Sequence, residues 1–223
     1  MEVFNDLDGD LINLFRVMQS GNDFAVLRER LTYTLHSRAE YELAIQMRHA
    51  VDPVERAWSY FVRLNQGFGG NLGATVGRWA RVKQKQFDHF SRRVELFEYY
   101  RERFQNVQID NIPAITCIKY WDSPESVFYV DPTYLPETRT RHGKFAHEMT
   151  LEEHLELIEV LSKVEGSVVL SGYPNKHYEK LAWDKSELEW RSGYMKDHRQ
   201  IRRTETVWLN LKAQEKRQGR LCI

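Results

Sequence analysis

A chain of 223 residues with 42% hydrophobic and 13% aromatic content can bury a sizeable core, and its length fits one domain or one domain with an insert. Its 32 basic residues balance 32 acidic ones, so whole-chain charge gives no argument for an anionic partner and only a local patch can. The two cysteines, Cys117 and Cys222, are far apart and outside any CxxC pair; with no leader-like start and no run near the roughly 20 apolar residues of a membrane span, they argue against a disulfide framework, a zinc-thiolate site or export, and for a reducing cytoplasm.

In chain order, Val3-Phe4 is a short apolar run that enters the acidic turn Asn5-Asp6-Leu7-Asp8-Gly9-Asp10. Leu11, Leu14, Phe15 and Met18 then recur at helical spacing up to Gly21, giving strand, turn, helix. From Asp23 to about Phe104 the pattern is helical almost throughout. Pro53 suits the first turn of a helix, and Gly67, Gly69, Gly70, Gly73 and Gly77 make a flexible elbow. The last helix of this region is expected to carry Phe87, Phe90, Val94, Phe97 and Phe104 on its packed face.

After Val107 the texture changes. Val127-Phe128-Tyr129-Val130 reads as a buried strand that Asp131-Pro132 ends. Thr150 and Glu153 form a capping-box pattern ahead of Leu151, Leu155, Ile158 and Leu161, and Gly166 precedes a second apolar run, Ser167-Val168-Val169-Leu170. Strand, helix, strand in this order reads as a parallel crossover, so Asp131 and the Ser171-Gly172-Tyr173 turn are expected to face one crevice at the strands' C-terminal ends. A final strand is expected over Thr206 to Leu211.

Asp131-Pro132-Thr133-Tyr134 offers a carboxylate, a carbonyl fixed by a rigid proline and an aromatic face within four residues, the set needed to hold an exocyclic amino group and stack on its base. Alone, such a turn is common in any fold. The segment resembles the Asp-Pro-Pro-Tyr signature of amino-methylating DNA methyltransferases, and four further stretches narrow the resemblance to the Dam-type adenine-N6 enzymes. These are Asn5 to Leu11, Leu135-Pro136-Glu137-Thr138-Arg139, His147-Glu148-Met149-Thr150, and Ser171-Gly172-Tyr173 followed by Glu205-Thr206-Val207-Trp208-Leu209-Asn210. They run in the family's order across essentially the whole chain.

The resemblance implies an α/β fold: a Rossmann-like methyltransferase sheet over residues 1–21 and 107–223, with a mostly helical DNA-recognition insert over 22–106. It implies transfer of a methyl group from S-adenosylmethionine to an adenine flipped out of duplex DNA, without a metal, in a bacterial or phage setting. Asp131, Pro132, Thr133 and Tyr134 would form the catalytic segment. Asp6 would hold the cofactor's ribose, Asp110 and Asn111 would border its adenine, and Asp131 would stand at the edge of the cofactor site. Asn5, Asp6, Asp8 and Asp10 also suit helix capping, and both readings can hold together.

Basic residues gather around the elbow, with Arg78, Arg81, Lys83, Lys85, Arg92 and Arg93 set against Asp88 alone. From these and their neighbours, Arg63, Asn71, Arg78, Lys83 and Lys85, with Arg139, Arg141 and Lys144 beyond the catalytic loop, are candidates for DNA contact. Phosphate binding by the group is a firmer expectation than by any member, because a charge run is usually a solvated face.

The sequence departs from the family's pattern in three places. Thr133 replaces the usual second proline, and Pro113 stands where the family often has an acid. Residue 1 aligns with the family's second strand, so the resemblance implies that the first strand and its Phe-x-Gly-Gly loop are absent here, and that either another chain supplies them, the sheet rearranges, or the natural protein has a longer N-terminus. A competing reading is therefore a non-catalytic DNA-binding remnant, or one part of a split methyltransferase.

Overall fold

The computed structural model describes residues 1–68, 78–81, 84–135, 137, 147–194, 200–210 and 212–213, with the backbone alone for 84–88, 190–194 and 200–203. Contacts gather the chain into two units, Met1–Pro113 with Gly143–His147, and Ala114–His142 with Glu148–Ile223.

In the first unit, β1 (Glu2–Asn5) and β2 (Val107–Asp110) form a two-stranded parallel sheet in which Asn5 pairs with Asp110. The Asn5 amide clamps the strand ends: Nδ2 donates to the Ile112 carbonyl at 3.0 Å, and the Ile112 N–H donates back to Oδ1 at 3.1 Å. Among the described residues six α-helices follow β1 in this unit: α1 (Gly9–Gln19), α2 (Gly21–Thr32), α3 (Arg38–Gln46), α4 (Pro53–Gln66), α5 (Gln84–Glu95) and α6 (Phe97–Phe104). As the sequence predicts, Pro53 occupies the first turn of α4, where its missing N–H costs nothing, and Asp52 caps the turn by accepting from Val54 N–H at 2.7 Å.

α4 is the centre of the helical core. Trp58 and Phe61 are buried on it against Leu14 and Met18 of α1, Leu27 of α2 and Phe97 of α6. Leu14, Val17 and Met18 of α1 thus share one core with α2, α4 and α6.

The single helix expected through Phe104 is two. At Leu96 the backbone turns to φ −76°, ψ −4°, and α5 and α6 meet there. Val94 and Phe97 are both buried across this break, so the apolar spacing persists through it and the sequence pattern conceals it.

The second unit holds α7 (Ala114–Trp121), β3 (Val127–Val130), α8 (Leu151–Leu161), β4 (Ser167–Gly172), β5 (Asp184–Tyr194) and β6 (Gln200–Leu209), with sheet order β3-β4-β6-β5. β3 and β4 are parallel, as the crossover reading expects, while β6 runs antiparallel to both β4 and β5. The capping box of α8 is formed: Glu153 N–H donates to Thr150 Oγ1 at 3.2 Å and Thr150 N–H to Glu153 Oε2 at 2.7 Å.

Gly166 enters β4 with no room for a side chain, since an added Cβ would lie 3.0 Å from the Ser126 carbonyl oxygen and from the Phe128 ring. Leu157 and Leu161 of α8, Val168 and Leu170 of β4 and Trp208 of β6 build the core of this unit. α7 and β5 were not expected from the sequence. The fold is a mixed α/β arrangement, with the described strands in two separate sheets.

Candidate active site

The segment expected to be catalytic, Asp131 to Tyr134, begins where β3 ends. The β3–β4 register sets Val130 beside Leu170, so the next residue of each strand, Asp131 and Ser171, emerges at the same C-terminal edge. There the Ser171 hydroxyl donates to Asp131 Oδ1 at 2.8 Å, with the Val130 carbonyl a second acceptor at 3.4 Å. The side chain of Asp131 is exposed while Ser171 is buried. Oδ2 of Asp131 carries no hydrogen bond among the described residues. Asp131 and Ser171 thus stand together at the C-terminal edge of β3 and β4.

The rest of the segment is held as firmly. Thr133, which stands where a second proline is usual, uses its Oγ1 to accept from the Met149 N–H at 3.0 Å. Tyr134 lies flat on Tyr173, with ring centroids 4.0 Å apart and planes 12° from parallel, and its hydroxyl donates to Glu205 Oε1 at 3.4 Å. Burial first, then the Glu205 carboxylate, pushes the Tyr134 hydroxyl well above the usual tyrosine range, so it remains a neutral donor. Beyond it, Leu135 is buried and Glu137 meets Nε2 of His177 at 3.3 Å.

Pro132, Thr133, Tyr134, Ser171, Tyr173 and Tyr178 line a small cavity of about 10 Å³, room for about one water. Tyr178, whose hydroxyl meets His154 Nδ1 at 2.8 Å, is likewise raised above its ordinary value, by burial and then by Asp131.

In the first unit, the expected cofactor residues cluster at the C-terminal ends of β1 and β2. Asn111 Nδ2 donates to the Asp6 carbonyl at 2.7 Å, and Asp6 N–H reaches the Asp110 carbonyl at 3.4 Å. Asp6 Oδ1 accepts from the Asp8 N–H at 2.8 Å, and its Oδ2 has no hydrogen bond among the described residues. Asp8, not Asp6, caps α1, accepting from Asp10 N–H at 2.9 Å.

The expected DNA contacts fare unequally. Arg63 is spent inside its own unit: its side chain is 12% exposed, Nη2 pairs with Asp10 Oδ2 at 3.2 Å, and Nε donates to Ser59 Oγ at 3.2 Å. It is a structural tie between α4 and α1. Arg78 is exposed beside the bridge that pairs Gly67 with Trp79. Asn71, Lys83, Arg139, Arg141 and Lys144 lie outside the described residues, as does the side chain of Lys85.

Ser171, Glu205 and Tyr178 had no role assigned from the sequence. The one available signal was that Ser171 and Glu205 lie in stretches matching the same family as Asp131. Among the described residues no three His, Cys, Asp or Glu gather as a metal site, and no helix is long and apolar enough to cross a membrane.

In this α/β protein a parallel strand ends in a half-anchored carboxylate, followed by a proline and a tyrosine stacked on a second tyrosine. The family model for D12 class N6 adenine-specific DNA methyltransferases matches residues 2–200, and the chain belongs to that family. The general chemistry is thus that of a transferase that methylates adenine in DNA. No match is found among curated proteins.

Proposed function

We propose that the chain transfers a methyl group from S-adenosylmethionine to N6 of an adenine flipped out of duplex DNA. The observation that carries this reading is the state of Asp131. Ser171 fixes one of its oxygens, the other has no partner among the described residues, and Pro132 and Tyr134 follow within three residues of the chain. Asp131 Oδ2 and the Pro132 carbonyl accept the two amino hydrogens, which keeps the nitrogen lone pair on nitrogen and fixes its direction. Tyr134 stacks on the base and offsets part of the few kcal/mol lost when it leaves the duplex.

S-adenosylmethionine supplies the methyl group: as the N–C bond forms, the S–C bond electrons return to sulfur and N6 then loses a proton. The residues of the first unit fit its nucleoside part. Asp6 is anchored through Oδ1 by its own turn and keeps Oδ2 for the ribose hydroxyls, while Asn111 and Asp110 border the same strand ends. Phosphate contacts are assigned to Arg78, Lys83, Lys85, Arg139, Arg141 and Lys144, with Asn71 available to a base edge and residues 22–106 carrying recognition. Arg63 is left out because Asp10 occupies it.

The test is to incubate the chain with methyl-labelled S-adenosylmethionine and unmethylated genomic DNA, digest the DNA and identify the labelled nucleoside. Label in N6-methyladenine is expected. Label in a methylated cytosine, or none with the donor demonstrably bound, would overturn the reading.

A further inference from the structure

We propose that the Ser171-Gly172-Tyr173 end of β4 is the positioning element of the amino-group site, Ser171 fixing the rotamer of Asp131 and Tyr173 the ring of Tyr134. The proposal rests on the methyl-transfer reading above and adds two residues that do not themselves touch the reacting atoms.

Ser171 lies in β4, which ends at Gly172, and Tyr173 is the first residue beyond it, so both stand at the C-terminal side of the strand. The catalytic segment runs past that side, and each residue meets it at one end: Ser171 Oγ lies 2.8 Å from Asp131 Oδ1, and the Tyr173 ring lies 4.0 Å from that of Tyr134 at 12°. The two holds differ in kind. A hydroxyl has one proton, and its bond to a carboxylate is charge-assisted and short, so it goes to Asp131 rather than to the Val130 carbonyl at 3.4 Å.

Ser171 is 3% exposed, which keeps water from competing for that bond. Asp131 itself is exposed and β3 ends just before it, so without this bond its side chain would be free to turn among rotamers. The stack in turn fixes the plane of the Tyr134 ring. Thr133, whose Oγ1 accepts from the Met149 N–H, lies between the two fixed points.

Positioning of this kind acts on the rate at saturation, not on the affinity for donor or DNA. The experiment measures methyl transfer to unmethylated genomic DNA by the full chain and by Ser171→Ala, Ser171→Thr and Tyr173→Leu, with unfolding midpoints alongside. Ser171→Ala is expected to lower kcat by about 10- to 100-fold with both KM values within about twofold. Ser171→Thr, which keeps the hydroxyl, is expected to restore most of the rate, and Tyr173→Leu to lower kcat by about three- to tenfold.

A parent-like kcat in Ser171→Ala, a Thr variant as slow as the Ala variant, or a loss seen mainly in KM would overturn the proposal. Crystal structures of the parent and of Ser171→Ala give a readout independent of activity. The Asp131 side chain should leave its parental rotamer in the variant, and an unmoved Asp131 overturns the positioning role even if the parent proves inactive, in which case it is the methyl-transfer reading that has failed.

Discussion

Replacing Asp131 by alanine separates chemistry from folding, because the structure gives the two effects different sizes. On the folding side, Asp131 is exposed and its one described side-chain partner is Ser171, whose hydroxyl retains the Val130 carbonyl at 3.4 Å as an alternative acceptor. The stability loss should therefore not exceed about 1 kcal/mol. On the chemical side, N6 gains positive charge as it takes the methyl group, and Asp131 is the negative group proposed to face it. Removing one preorganised partner of developing charge costs about 10²- to 10³-fold in kcat, about 2.7–4 kcal/mol. Asp131→Asn keeps an acceptor oxygen without the charge and should fall between parent and Ala. DNA affinity should stay within about twofold, since base-directed residues contribute little of the phosphate term. Labelled-methyl incorporation, gel shift and urea unfolding on the same preparations read all three quantities. An Asp131→Ala variant that keeps more than about a tenth of the parental kcat would refute the assignment of Asp131 to the amino group.

Neutralising Arg78, Lys83 and Lys85 together should weaken binding to DNA of any sequence and flatten the slope of log K against log salt by about 0.9 for each phosphate contact removed; an unchanged slope would make the patch a solvated face. Arg63→Gln should instead leave that slope unchanged and lower the unfolding midpoint, because Arg63 is paired with Asp10 inside its unit; a slope change equal to that of an exposed arginine would count against this. Asn210→Ala should cost about 2–5 kcal/mol in urea unfolding, since its side chain accepts from Val168 N–H at 3.1 Å and donates to the Gly166 carbonyl at 2.9 Å, leaving two buried backbone groups unpaired when it is removed. A loss below about 1 kcal/mol would mean that water replaces both bonds.

Elements whose burial imprints a period were legible in the sequence. β4 and α8 stood out because Val168, Leu170, Leu157 and Leu161 must face one core, and Thr150 with Glu153 marked the start of α8 in letters alone, whereas β3, read as a buried strand, leaves Val127 65% and Tyr129 70% exposed. β5 was missed for the converse reason: an edge strand of Asp184-Lys185-Ser186-Glu187-Leu188, with Leu188 62% exposed, buries nothing that could alternate. It gains its place by backbone pairing to β6, which no side-chain pattern records. The break at Leu96 was hidden because burial continues through it. α7 buries fully only Ile118, too little to leave a stripe.

The acidic turn after β1 marks how far letters alone can reach toward a site. Asn5, Asp6, Asp8 and Asp10 offered two readings, helix cap or ribose ligand, and nothing in their order divides the work. Geometry divides it. Asn5 is consumed by both backbone groups of Ile112, Asp8 by the first turn of α1, and Asp10 by Arg63 of α4, a residue 53 positions away. Asp6 alone is held through one oxygen with the other unengaged among the described residues. Asp131 shows the same pattern in the second unit, held by a serine 40 positions away. A carboxylate half-anchored in this way contributes little to stability, and the oxygen it keeps is what the proposed ligand roles of Asp6 and Asp131 require. Long-range partners decide which acids are spent and which are kept available. Such partners are what a single sequence cannot display, which is why Arg63 read as a DNA contact and Ser171 carried no role.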